Sequence, residues 1–175
     1  MNKIPVTKVG VVVRLQNVDK PAQYLVVKPK GKHGSDAPYV LPRGTRMYLD
    51  PASGVMVDAR DDATARLYAE FLEDTRVTAT RELEEEAGVP RALFQSRNPV
   101  ELGVRLYDSP SGKGSYLVLW YGVNVLHGDS AKFVSAIDSA EVRWVTLADY
   151  QRLVKQGRAR EGYVDVLKSA ETILL

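Results

Sequence analysis

The segment Arg81-Glu82-Leu83-Glu84-Glu85-Glu86 places four carboxylates in five successive positions. On a helix, Glu82, Glu85 and Glu86 stand at i, i+3 and i+4, so their side chains share one face. Like charges so placed repel and cost helix stability. A cation bound between them would reverse that cost. Oxygen-only ligands select hard cations. Magnesium is the usual choice because it also binds substrate phosphates, with manganese as the alternative. Arg81 lies four residues before Glu85 and can pair with it and orient it. Glu84 points between the faces, toward solvent. Leu83 and Ala87, four apart, point to the core and anchor the helix. The competing reading of the same pattern is an acidic helix face that is simply solvated.

These acids need a frame. Apolar spacing predicts their helix over about Arg76 to Ala87, stopped by Gly88 and Pro90. Valine-rich Val6 to Leu15 reads as a buried strand, and Gln23 to Lys28 as its hairpin partner after a turn at Asn17 to Pro21. Lys30 to Pro38 reads as a loop. Tyr39 to Leu41 is a short apolar piece stopped by Pro42 and Gly44. In the stretch Thr45 to Leu72, the half holding Pro51 and Gly54 reads as irregular. The half from Asp61 to Glu73 reads as a helix with Ala65, Leu67, Tyr68, Phe71 and Leu72 on one stripe, capped by Asp61 or Asp62. Strands follow at Val100 to Tyr107 and Ser115 to Val125, joined by the loop Asp108 to Gly114, and then at Glu141 to Thr146. Helices at about Leu147 to Gln156 and Glu161 to Leu174 complete the pattern. The order strands, helices, strands, helices implies an α/β fold with a mixed sheet and helices on its faces.

Composition narrows the chemistry. With no cysteine, disulfides, thiolate metal sites and a cysteine nucleophile are excluded. Two histidines, His33 and His127, are too few and too separated for a zinc site. A net charge of +2 gives little support to nucleic acid as the main partner. No stretch reaches the roughly 18 apolar residues of a membrane span, and Met1 to Arg14 does not read as a signal peptide, so a cytoplasmic protein is expected. A chain of 175 residues is expected to form one domain.

Arg81 to Val89 resembles the C-terminal half of the Nudix box, G-x5-E-x7-R-E-U-x-E-E-x-G-U with U aliphatic. Arg81, Glu82, Leu83, Glu85, Glu86, Gly88 and Val89 meet every fixed position from the arginine onward, and Glu73 meets the upstream glutamate. The box glycine is the exception, since its expected place is Leu67. Gly44, in Leu41-Pro42-Arg43-Gly44, is similar to the glycine of the Leu-Pro-x-Gly that usually opens the box. Residues 45–72 then separate it from Glu73, 28 residues in place of five. They read as an insertion in the box's first loop. The two N-terminal strands, the Leu-Pro-x-Gly, the box and a late Glu-x-x-Trp (Glu141 to Trp144) follow the family's order. The resemblance therefore spans most of residues 5–150 and implies the Nudix fold, an α/β/α sandwich around a mixed sheet.

The same resemblance implies hydrolysis of a nucleoside diphosphate linked to another moiety: a dinucleoside polyphosphate, a nucleotide sugar or a nucleoside triphosphate. It implies metal ligation by Glu82, Glu85 and Glu86 with a carbonyl from Gly44, and an orienting role for Arg81. The general base is expected among the box glutamates, Glu85 or Glu82, or in the loop before Trp144, at Asp138 or Glu141. Lys28, Lys30, Lys32, His33, Arg43 and Arg46 surround the loop leading into the box. Of these, Arg43, Arg46 and Lys28 are the candidates for holding phosphates, Arg43 first because it adjoins Gly44. Tyr39, Tyr107, Tyr116 and Trp120 could stack on a base but are the usual packing residues of strands. The insertion has three readings: a lid, a dimer contact, or a piece packed on the sheet with its apolar stripe buried. The alternatives to an enzyme acting on a small nucleotide are a Nudix-fold nucleotide-binding or regulatory module, an RNA-end pyrophosphohydrolase and a structural domain. A homodimer is compatible with all of these.

Overall fold

A computed structural model describes residues 7–17, 19–30, 37–59, 62–108, 115–133 and 136–174. Lys32, His33 and Asp61 lie outside them. Strand β1 (Lys8–Leu15) is the centre of the molecule. Val9, Val11, Val12 and Val13 are all buried, so both faces of the strand are covered. It pairs in parallel with β7 (Ser115–Val125), which pairs antiparallel with the edge strand β6 (Val100–Asp108). On its other side, β1 meets two partners in turn. Its C-terminal end pairs with β2 (Gln23–Pro29), the expected hairpin, and its first residues pair with the short β3 (Arg43–Thr45). β2 in turn carries β8 (Ser139–Thr146). The sheet order is β6-β7-β1-β2-β8 with β3 attached to β1.

Helix α2 (Thr75–Ala87) lies against one face of this sheet. Asp74 caps its first turn by accepting from the Arg76 amide, and Gly88 ends it at φ +68°, a conformation that glycine adopts without a Cβ penalty. Ala79, Leu83 and Ala87, one turn apart, are buried beneath it. The short α3 (Arg91–Ser96) follows. At six residues it is too short to show a hydrophobic period, and the sequence reading missed it. The other face is covered by α4 (Leu147–Lys155) and α5 (Val164–Ile173). Thr146 and Asp149 form a reciprocal capping box that starts α4. Among the described residues no helix is long and apolar enough to cross a membrane.

The stretch 45–72 differs from its sequence reading in two ways. The half expected to be irregular contains a hairpin, β4 (Met47–Leu49) with β5 (Met56–Asp58). Asp50 builds the turn by accepting from the Ala52 amide and the Ser53 hydroxyl, and Gly54 supplies φ +67°. The expected long helix is shorter: α1 (Asp62–Leu67), followed by a 3-10 turn at Ala69–Phe71. Because the helix stops at Leu67, only part of the apolar stripe faces the hairpin. Ala65 is buried, Tyr68 stacks on Tyr48 with ring centroids 4.4 Å apart, and Leu72 packs beside them. Leu67 and Phe71, expected to be buried, are 74% and 45% exposed. The unit is tied to the body through the Arg46 amide on Thr7 and the Glu73 amide on Met47, and the Ala59 amide on Arg46 closes the unit on itself.

Candidate active site

Gly44 sits in the middle of β3, opposite Val9 on β1. A Cβ added there would lie 1.6 Å from the Glu82 carboxyl carbon. Helix α2 can bring Glu82 this close to the strand only because residue 44 has no side chain. One turn later, the Glu86 carboxylate accepts the Arg43 backbone N–H at 2.8 Å. Both acids open into a cleft of about 360 Å³.

Burial pushes the Glu82 carboxyl above its usual range against the pull of Arg81. Burial raises Glu86 further, to about 8; the Arg43 N–H opposes this and the Glu82 charge adds to it. Two buried carboxylates that resist ionisation beside each other form a hard-oxygen pair that a cation would stabilise. The side-chain oxygens of Glu82 and Glu86 and the nearby Gly44 backbone therefore suit a divalent ion that completes its shell with water and phosphate. Among the described residues, no three acidic or histidine groups converge closely enough to hold one ion by themselves.

Arg81 organises the acids. Its guanidinium donates to Glu82 at 2.6 Å, Glu73 at 3.0 Å, Glu85 at 3.4 Å and the Thr45 carbonyl at 3.0 Å. Glu73 also accepts from the Thr78 hydroxyl and the Met47 amide. Burial alone would raise the Glu73 carboxyl, but the hydrogen bonds from Arg81 and Thr78 outweigh it and hold it below its usual value. Glu85 is partly exposed and is not among the residues lining the cleft. Its carbonyl accepts the backbone N–H groups of Ile137 and Asp138, which ties the loop before β8 to α2. This tether brings the Asp138 charge to bear on Glu86. Glu141 lies elsewhere. It is paired with Lys28 across the β2–β8 ladder and interacts with Tyr39, whose ring also lies under the Lys28 ammonium.

Of the basic candidates, Arg43 lines the cleft and Lys28 and Arg46 do not. The Arg46 guanidinium donates to the Glu73 carbonyl. Lys30 donates to the Ile137 carbonyl. Three further charged residues line the cleft that the sequence did not point to: Lys8, Asp58 and Arg160. Lys8 is the first residue of β1, Asp58 comes from the inserted hairpin, and Arg160 precedes the last helix. Nothing in their local sequence sets them apart, since only the ladder and the insertion's folding bring them to one place. Burial, and then the neighbouring Arg43, lower the Lys8 ammonium from its usual value. The four aromatic candidates are packing residues in the main: Tyr39 and Trp120 are buried, while Tyr107 and Tyr116 pack half-buried against the core.

No protein-family model matches the chain, and neither does any curated protein. Solved structures do. The Nudix domain of Shewanella oneidensis NrtR, crystallised with ADP ribose, superposes with a TM-score of 0.58 over 99% of this chain and 90% of its own, at 19% identity. An Ap4A hydrolase from C. elegans, in a binary complex, gives 0.55 over 95% of this chain and 97% of its own, at 14% identity. A Nudix hydrolase from Nitrosomonas europaea gives 0.56 over 95% and 89%, at 18% identity.

Proposed function

We propose that this chain, which has the Nudix fold, is a divalent-cation-dependent hydrolase that cleaves the diphosphate linkage of a nucleoside diphosphate derivative. One observation carries the reading: Glu82 and Glu86, a helical turn apart, lie largely buried at a cleft against a strand glycine, where among the described residues no side chain forms an ion pair with Glu86 and the Arg43 charge acts on it without one. A solvated acidic face would have no such cleft. The fold neighbours add support, being a Nudix domain crystallised with ADP ribose, an Ap4A hydrolase and a Nudix hydrolase.

In this reading Glu82 and Glu86, with the Gly44 carbonyl, would hold the cation, and Glu85 would have to turn toward it from the partly exposed side. Magnesium fits the oxygen donors, and manganese is a substitute. The bound cation would neutralise phosphate oxygens and lower the pKa of an attacking water. Arg81 fixes the Glu82 and Glu85 carboxylates through one planar guanidinium and keeps them from turning away. Arg43 serves twice. Its amide holds Glu86, and its side chain, lying in the same cleft, takes a phosphate oxygen. Asp138 is the preferred proton acceptor, because its backbone is tethered to Glu85 and its charge acts on Glu86, whereas Glu141 stands beside Tyr39. A soluble, cytoplasmic enzyme on small nucleotides is the corresponding setting, with a homodimer compatible with it.

The test is turnover with magnesium against nucleotide sugars, dinucleoside polyphosphates, nucleoside triphosphates and capped RNA, with phosphate-ester products measured. Hydrolysis of at least one is expected, with Glu82→Gln and Glu86→Gln losing it together with magnesium binding by calorimetry. A protein that neither binds magnesium nor turns over any of the four classes is a binding module or a structural domain.

A further inference from the structure

The cleft spans two faces of the sheet. Opposite residues in the β1–β3 ladder share a face, so Val9 and Gly44 lie on the side of α2 and Glu82. Lys8, paired with Thr45, and Arg43, paired with Gly10, lie on the other side. A ligand held by Glu82 and Glu86 would therefore have to extend past the short β3 to reach Lys8 and Arg43.

The chemistry there is cationic. Lys8 donates to the Thr45 hydroxyl at 3.0 Å and Arg43 to the Tyr116 hydroxyl at 2.6 Å. Both cations lie over the Tyr116 ring, at 5.5 and 5.3 Å from its centroid. Among the described residues neither has a carboxylate partner, and neither does Arg160 at the cleft's further rim. Glu82, Asp58 and Glu86 act on the Lys8 charge and Glu86 on that of Arg43, but among the described residues these acids take no hydrogen bond from either side chain, so most of the donors of these two partly buried cations are unused. The ring they cover is the exposed end of an aromatic group, Tyr107, Tyr116, Trp120 and Tyr163, whose other members are packed edge-on against one another. A base has no free ring to stack on at this end. An anion has two cations to meet.

We propose that Lys8 and Arg43 form an anion subsite for a phosphate beyond the pair joined by the scissile bond, so that the substrate carries three or more phosphates in a row. This rests on the hydrolase reading for the cleavage step, but the subsite itself can be tested without it. Nucleoside triphosphates and dinucleoside polyphosphates satisfy it. A nucleotide sugar whose second half is uncharged leaves both cations unmet.

Two measurements on the full chain decide it. Inorganic tripolyphosphate and pyrophosphate are titrated calorimetrically in EDTA, where the acids cannot help. Tripolyphosphate is expected to bind the wild type and to weaken about tenfold or more in Lys8→Gln. It should be largely retained in Lys8→Arg, with circular dichroism showing both variants folded. With magnesium, kcat/KM is compared across dinucleoside di-, tri- and tetraphosphates. A preference for the longer chains that collapses in Lys8→Gln supports the subsite. Tripolyphosphate affinity unchanged by Lys8→Gln, or an equal loss at every chain length, overturns it. If no substrate turns over but the EDTA titration still separates the variants, the subsite stands and the hydrolase reading falls.

Discussion

The Glu82 carboxylate fills the space that a side chain on Gly44 would need, and the contact joins α2 to β3 at the floor of the cleft. Gly44→Ala must push the acid aside or separate helix from strand. The overpacking is expected to cost about 1–3 kcal/mol. Magnesium affinity should fall further than stability does, because Glu82 is moved directly. Thermal melts with and without magnesium separate the two effects. A variant with wild-type affinity would show that Glu82 has room to move.

Glu73 and Arg81 should behave as one unit. Glu73→Gln replaces a buried carboxylate that Arg81, Thr78 and the Met47 amide all contact. A loss of about 1–3 kcal/mol is expected in urea unfolding. Arg81→Lys should lose a comparable amount, because one ammonium cannot reach Glu73, Glu82, Glu85 and the Thr45 carbonyl together. The double variant is expected to cost less than the sum of the two, and additive losses would show that the pair is not coupled.

The inserted unit has its own small core, so it should loosen by itself. Tyr68→Ala removes the stack on Tyr48 and is expected to cost that unit about 1–3 kcal/mol. Hydrogen exchange should quicken at the amides of residues 46–58 while those of α2 stay protected. Uniform loss of protection across the chain would mean that hairpin and body unfold together.

Asp129 gives the chain a defined acid sensitivity. It lies in a 3-10 turn at His127–Lys132, where it accepts the Leu126 amide and pairs with Arg97 and Lys132. The amide first, then Arg97 and Lys132, hold its carboxyl down at about 2, below the ordinary aspartate range. A depressed folded value contributes stability above the unfolded value and loses it as pH falls toward the folded one. Asp129→Asn should therefore cost about 1–2 kcal/mol at neutral pH, and the gap to wild type should close between about pH 4 and pH 2. Urea unfolding over that range measures it. A gap independent of pH would assign the cost to packing.

The sequence by itself determined the strands β1, β2, β6, β7 and β8, the helix α2 to within a residue and its stop at Gly88, because those depend on local period and on one backbone conformation, while the short β3 and the β4–β5 hairpin escaped it. It also put Glu82, Glu85 and Glu86 on neighbouring turns, since helical spacing is set by covalent geometry. Tertiary structure decided which of them sink into a cleft: Glu82 against Gly44 and Glu86 on the Arg43 amide, with Glu85 left partly exposed. It decided too that Arg43 lines the cleft while Arg46 and Lys28 do not, although all three lie near the same loop. Lys8, Asp58 and Arg160 were beyond the reach of any local pattern, because strand pairing and an inserted hairpin bring them together across the chain. The short helix α1 shows the same limit from the other side: apolar spacing at Leu67 and Phe71 promised burial that the described residues do not provide.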